Sequence, residues 1–385
     1  GITAKGAWES VKRHFRELGI DPEADPITVA GIGDMSGDVF GNGMLLSRSL
    51  RLIAAYDHRH IFIDPDPDPA KSWEERQRLF ALPRSSWDDY DKKLISKGGG
   101  VYPRSMKEIS LSPEARAALG IEAETIDPDS LISAILKAPV DLLWFGGIGT
   151  YVKSAGENNI QVGDPANDTV RIDGADIRAK VVGEGANLGC TQAGRIEYAL
   201  AGGRIDTDFI DNSAGVDCSD KEVNIKIALA AAKRSGALTE PARVKLLAAM
   251  TDDVAELVLE DNRLQALALS ISQSGGAAGA GSFIRLCEAL EDNGQLDRKT
   301  EGIADGDVLR RRAADGQGLT RPELAVLMSS AKLALQEALE QSRVPDDPGL
   351  EPELLAAFPP AMRRKFGEEI RSHRLRREII ATRLA

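Results

Sequence analysis

Apolar positions along the first half of the chain follow two alternating rhythms. Trp8, Val11, Phe15 and Leu18 fall at helical spacing and Gly19 follows, which predicts a helix over residues 4–18 with a glycine stop. Ile27 to Ala30 is a short apolar run entering a glycine turn, the pattern of a strand buried in a parallel sheet. A helix through Phe40, Met44 and Ser47 and a strand at Leu52 to Tyr56 complete a strand–turn–helix–strand unit. Residues 64–128 are less regular. The Asp-Pro run from Asp64 to Pro69 predicts a loop, with short helices at Trp73 to Leu79 and Trp87 to Ser96. Ser130 to Lys137 predicts a helix leading into a strong strand at Val140 to Phe145. A small hairpin is expected over 158–173, with Pro and Asn at its turn. A strand at Lys180 to Gly183, a helix at Thr191 to Ala201 and a last strand at Thr207 to Ile210 follow.

After Cys218 strand signals stop. Residues 220–273 are rich in Ala, Leu, Lys and Glu and predict long helices; Gly275 to Gly281 predicts a flexible break, and helices resume at Phe283. Thr320-Arg321-Pro322-Glu323 combines a threonine cap, a first-turn proline and a glutamate at the third position, a capping box. The expected architecture is therefore α/β: a Rossmann-like, doubly wound, mostly parallel sheet over 1–230 with an insertion at about 64–128, then an all-α domain over 231–385.

Composition narrows the function classes. A length of 385 residues suggests two or three domains, and 42% hydrophobic with 28% charged residues is ordinary for a soluble globular protein. The net charge of -12 argues against nucleic acid as a main partner, because phosphate backbones need a basic footprint. Cys190, Cys218 and Cys287 form no CxxC pair, and the four histidines include no HExxH, so neither a disulfide framework nor a metal site is expected. Free thiols fit a cytoplasmic location. No apolar run approaches the ~20 residues of a membrane span, and no signal peptide is visible. The chain opens at Gly1 rather than Met and closes within a helical pattern, as a piece of a longer polypeptide would.

Gly31-Ile32-Gly33-Asp34-Met35-Ser36-Gly37 lies between the first strand and its helix, where a dinucleotide fingerprint must sit. The first glycine permits the tight turn. The second lets a pyrophosphate approach the backbone, and the helix start presents free N–H groups. Ser36 stands at the third glycine position, so the pattern is imperfect. An acidic residue is expected about 20 positions on, at the end of the second strand. Asp57, 24 positions past Gly33, is the first candidate for the adenosine ribose; Asp64 competes with it. A carboxylate there repels a 2′-phosphate and favours NAD over NADP. His58, Arg59 and His60 bring possible positive charge beside it.

Four segments then resemble the glutamate dehydrogenase family. Leu52 to Pro65 is similar to its second strand and turn, Glu184-Gly185-Ala186-Asn187 to its EGAN segment, and Gly1 to Gly6 to the TGxG stretch entering the cofactor domain. Asn212-Ser213-Ala214-Gly215-Val216-Asp217-Cys218-Ser219 resembles NAGGVxxS, departing at Ser213 and Ala214. Gly33 to Gly43, Leu82 to Trp87, Leu319 to Val326 and His373 to Thr382 resemble the large multi-domain NAD-specific bacterial members.

The resemblance implies an NAD cofactor, L-glutamate as substrate of the whole enzyme, and a homo-oligomer. It implies that Thr3 and Asn187 contact the nicotinamide amide, and that Gly31, Gly33, Asp34, Met35 and Ser36 form the pyrophosphate turn. Asn212 is expected near nicotinamide and substrate. Val216 and Ser219 are expected at the substrate side chain, Ser219 bonding its distal carboxylate; a helix N-cap is the other reading of Ser219. Gly147, just past a strand, is expected to border the cofactor crevice. The family's catalytic lysines and aspartate belong to a preceding domain, so no catalytic residue is assigned. The chain alone is expected to bind NAD weakly without turning over glutamate. Another amino-acid dehydrogenase, or a non-catalytic NAD-sensing or assembly module, are the alternatives.

Overall fold

The computed structural model describes residues 1–385. At its centre stands a mixed six-stranded sheet, so the class is α/β. Its strands are β1 (Ile27–Ile32), β2 (Leu50–Tyr56), β3 (His60–Ile63), β4 (Gly100–Pro103), β5 (Leu142–Phe145) and β6 (Val181–Glu184). Their spatial order is β6-β5-β1-β2-β3-β4. The first four in that order are mutually parallel. β3 turns back antiparallel to β2, and β4 pairs antiparallel to β3. The stretch expected as an insertion thus supplies the sheet's edge strand.

The apolar runs become strands because both faces of the sheet are covered. Along β5 successive side chains point to opposite faces. Leu142 and Trp144 join one core with Val29 and Leu52, while Leu143 and Phe145 join the other with Ile32 and Val182. Such a strand has no exposed side and needs no polar alternation.

Eight helices matter below: α1 (Ile2–Glu17), α2 (Asp38–Gly43), α3 (Gln192–Leu200), α4 (Asp208–Asp211), α5 (Ser213–Arg234), α6 (Thr251–Ser274), α7 (Gly276–Asp292) and α8 (Arg321–Gln341). α1 buries Ala4, Ala7, Trp8, Val11 and Phe15 in the core that holds Trp144, and it also packs on α5 and α6. The first helix therefore ties the sheet to the helical part. Buried ions seal the junction. Arg321 Nε donates to Asp206 Oδ1 at 2.7 Å, and His14 Nε2 lies 3.5 Å from Asp206 Oδ2. Burial alone would raise the Asp206 carboxyl, but Arg321 and then His14 outweigh it and hold it well below the usual range. The capping box of α8 forms: Glu323 Oε2 accepts from the Thr320 N–H at 2.7 Å and its hydroxyl at 2.8 Å. No helix is long and apolar enough to cross a membrane.

Four local expectations are corrected. Residues 158–173 form no hairpin: Asn158 and Gln161 make a reciprocal capping box on a short helix, Asn159–Val162, and a 3-10 turn spans Pro165–Asn167. Only Ile172–Asp173 is extended there, paired in parallel with Val152–Lys153. Thr207 to Ile210 is not a strand: the Thr207 carbonyl accepts from the Ile210 and Asp211 N–H groups at the start of α4, and the chain runs on into α5. The helix expected over Trp87 to Ser96 shrinks to the turn Trp87–Asp89, where Asp89 bonds back to Ser86 and Glu75 captures the Asp91 N–H at 2.7 Å. The glycine break is largely helical. Only Gly276 in that run takes a positive φ, +50°, and α7 starts there. Gly318 packs tightly against this run: a Cβ on it would lie 2.6 Å from the Gly276 carbonyl oxygen. Beyond Ile205 every regular element is a helix, and residue 230 falls inside α5.

Candidate functional site

From β1 the chain crosses to β2 on one side and later returns to β5 on the other. The crevice left above the strands' C-terminal ends is where open α/β sheets take ligands. Two connected cavities open there, of about 950 Å³ and about 480 Å³. Both are lined by Gly146, Gly147, Ile148, Ala166 and Asn167, so they are lobes of one cleft.

The glycine turn builds the smaller lobe. Gly33 has φ +136°, and a Cβ there would meet the Phe40 Cβ at 2.8 Å, so only glycine fits without strain. Its N–H donates to the Tyr56 carbonyl at 2.7 Å, and its own carbonyl accepts from Trp87 Nε1 at 3.0 Å. Asp34 Oδ1 accepts from the N–H groups of Ser36 (2.8 Å) and Gly37 (3.2 Å) and from the Ser36 hydroxyl. Asp57 closes the lobe at the end of β2. Its Oδ1 accepts from the N–H groups of Arg59 (2.7 Å) and His60 (2.6 Å), while its buried Oδ2 has no partner. Burial raises the Asp57 carboxyl, the His60 and Arg59 amides oppose that, and the neighbouring Asp34 carboxylate adds to the rise. Asp64 also has an unpartnered Oδ2, so location separates the two candidates. Because β3 runs back antiparallel, Asp64 lies beside Ile53 midway along β2, away from the C-terminal ends of the parallel strands, and accepts from the Ser96 N–H at 3.0 Å. It lines neither lobe.

The larger lobe gathers residues distant in sequence: Thr3 from α1, Gly147 after β5, Asn187 after β6, and Asn212 and Val216 around the start of α5. Asn212 Nδ2 donates to Asn187 Oδ1. The loop carrying Asn187 is held by a buried charge network. Glu184 accepts from Arg195 Nε (2.6 Å) and Nη2 (3.0 Å), and Nη2 also lies 3.0 Å from Asp208 Oδ1. Asp208 Oδ2 takes the Leu188 N–H at 2.8 Å, and Asp211 Oδ2 takes that of Glu184 at 2.8 Å. These bonds fix Leu188 at φ +59°, a strained conformation for a branched residue. Burial would lower Arg195, but the facing Glu184 outweighs it and keeps the guanidinium charged.

Of the residues expected from sequence, Gly33, Asp34, Ser36 and Asp57 line the smaller lobe, Thr3, Asn187, Asn212 and Val216 the larger, and Gly147 both. Three line neither. Gly31 lies within β1 against Phe40. Met35 is 1% exposed, with its side chain in the core, so only its backbone shapes the turn. Ser219 is exposed on α5, its Oγ 3.4 Å from the Gly215 carbonyl, and it does not cap a helix that already begins at Ser213. Sequence reasoning missed Asp38, Asp164 and Asn167, which line the cleft, and Arg195 and Asp208, which hold its loop.

The family described as bacterial NAD-glutamate dehydrogenase, catalytic domain, matches residues 1–272, and that described as glutamate dehydrogenase, C-terminal, matches 316–385. NAD-specific glutamate dehydrogenases are similar over 100% of the chain: that of Pseudomonas aeruginosa at 56% identity, of Mycobacterium tuberculosis at 53% and of Halomonas elongata at 52%. The chain spans 24% of the length of each of these relatives.

Proposed function

The chain belongs to the bacterial NAD-glutamate dehydrogenase family, and on that premise we propose that it is the cofactor-binding part of an NAD-dependent enzyme that oxidatively deaminates L-glutamate to 2-oxoglutarate and ammonia. The observation that carries this reading is the buried, unpartnered Asp57 Oδ2 at the end of β2. Asp57 lines the cleft that holds the glycine turn at one point and the Asn187–Asn212 pair at another.

The residues fit a dinucleotide. Asp57 Oδ2 is an acceptor awaiting a donor, the chemistry of a ribose hydroxyl, and its charge repels a 2′-phosphate. The turn from Gly33 to Gly37 approaches a pyrophosphate with backbone alone, once Asp34 releases the amides of Ser36 and Gly37. In the larger lobe Thr3 and Asn187 orient the nicotinamide amide, Asn212 aligns Asn187, and Val216 faces the substrate. The bound nicotinamide supplies a hydride acceptor for the substrate α-carbon. This chain's groups bind and orient, and the lysines and aspartate that move protons come from outside it. The reading includes a Rossmann-like organisation of residues 1–230, a helical domain over 231–385, a cytoplasmic location and a homo-oligomeric whole enzyme.

The test compares the 385-residue chain with the full-length enzyme. The chain is expected to bind NADH and produce none from glutamate, while the full-length enzyme binds NADH and also produces it from glutamate and NAD. Steady glutamate-dependent NADH production by the chain alone would overturn this division of labour.

A further inference from the structure

Residues 154–168 leave the fold after Val152–Lys153 and return at Ile172–Asp173, which pairs with that strand. The excursion carries the helix Asn159–Val162 and the turn Pro165–Asn167. It reaches the cleft where the two lobes meet, for Ala166 and Asn167 line both, facing Gly146 to Ile148.

This strap is firmly held. The Arg171 side chain is 0% exposed. Its Nε donates to the Thr150 carbonyl (2.8 Å), Nη1 to Asn159 Oδ1 (2.8 Å) and Asp168 Oδ1 (2.6 Å), and Nη2 to the Asp164 carbonyl (2.6 Å). Asp164 Oδ2 accepts from the Thr150 N–H (2.8 Å) and from Asn167 Nδ2 (2.7 Å). Gly149 has φ +133°, and a Cβ on it would lie 2.7 Å from Asn167 Nδ2, so strap and floor touch directly. A guanidinium is costly to bury unless its donors are satisfied, and here they are satisfied by both ends of one excursion.

We propose that this strap is part of the dinucleotide site, covering the middle of the bound cofactor between the Asp57 lobe and the Asn187 lobe. Ala166 and Asn167 make the contact, and Arg171 is a positioning residue that holds the strap to Thr150. The inference rests on the reading of the cleft as a dinucleotide site. Asp164, which lines the larger lobe, has its Oδ2 turned onto Thr150 and Asn167, which reduces its repulsion of a pyrophosphate.

The test uses the full-length enzyme. Ala166 is exposed, so Ala166→Trp sets an indole at the junction without removing a core contact. NADH affinity should fall about tenfold or more while adenosine affinity changes less than about twofold. NADH affinity within about twofold of the unmodified enzyme, or an equal loss of both ligands, overturns the inference. Arg171→Lys keeps the charge and loses the fork. It should raise KM for NAD about tenfold with kcat and the glutamate KM unchanged. A lowered Tm with every kinetic constant intact would make Arg171 merely structural and overturn its assignment. Failure of the unmodified enzyme to bind NADH would overturn the underlying reading and this inference with it.

Discussion

Asn212, between α4 and α5, donates its side-chain amide to the side-chain oxygen of Asn187, in the loop after β6. This one bond joins two segments of the cleft wall that are 25 residues apart in sequence. A bond between such groups contributes only about 1 kcal/mol to stability. In the full-length enzyme Asn187→Ala is expected to raise KM for NAD about tenfold while costing under about 1 kcal/mol of stability. Kinetics and denaturant unfolding of the same variant check both. A large stability loss with an unchanged KM would make Asn187 a loop pin only.

Arg195 is the centre of the buried network beneath that loop. Arg195→Met leaves Glu184 fully buried with its guanidinium gone, which should destabilise the protein by about 3–5 kcal/mol in urea unfolding. Adding Glu184→Gln removes the stranded charge, so the double variant should recover part of the loss. Strict additivity of the two substitutions would show that the groups do not act as a pair.

Gly33→Ala brings a Cβ within 2.8 Å of Phe40 at a backbone φ of +136°. The cost in stability should be about 1–3 kcal/mol. Because the turn itself must shift, NADH binding should weaken far more than stability does. Calorimetric titration of a sample shown to be folded checks this; wild-type affinity would mean that the turn does not face the cofactor.

Asp217, on α5 beside Val216, has a carboxyl raised from 3.8 to about 6, by burial first, with the Asp261 carboxylate adding and Lys221 opposing. The folded state therefore binds this proton more tightly than the unfolded chain. Its contribution to stability is full below pH 3.8 and is lost as pH rises through about 6. Asp217→Asn should gain on the unmodified protein between about pH 4 and 7, by on the order of 1–2 kcal/mol after allowing for partial exposure. Thermal unfolding across that range measures it, and a gap that does not change with pH would contradict it.

The parts of the fold legible in sequence are those whose signal is local. The run Leu142 to Phe145 reads as a buried strand because both faces are covered. The Thr320–Glu323 box forms as expected because its partners lie within one turn. Gly33 and Asp57 stand where the turn and strand end put them. The misreadings come from residues with two local uses. Pro165 and Asn167 suit a hairpin turn, yet Asn158 and Gln161 favour a helix start. Thr207 suits a strand by propensity, yet its carbonyl starts α4, and Asp208 and Asp211 then turn inward to Arg195 and to the Glu184 N–H. The network under Asn187 was illegible because its partners come from separate elements, one of them read as a strand. Asp64 is equivalent to Asp57 in sequence, and only the reversal at β3 separates them, by carrying Asp64 back along β2 to Ile53.

We propose above that the cleft holds NAD with Asp57 at its adenosine ribose. The most direct measurement is a calorimetric titration of the folded chain with NADH and with NADPH, repeated on Asp57→Ala. NADH should bind more tightly than NADPH, and Asp57→Ala should weaken NADH about tenfold and erase the preference. A preference that survives unchanged in Asp57→Ala would contradict it.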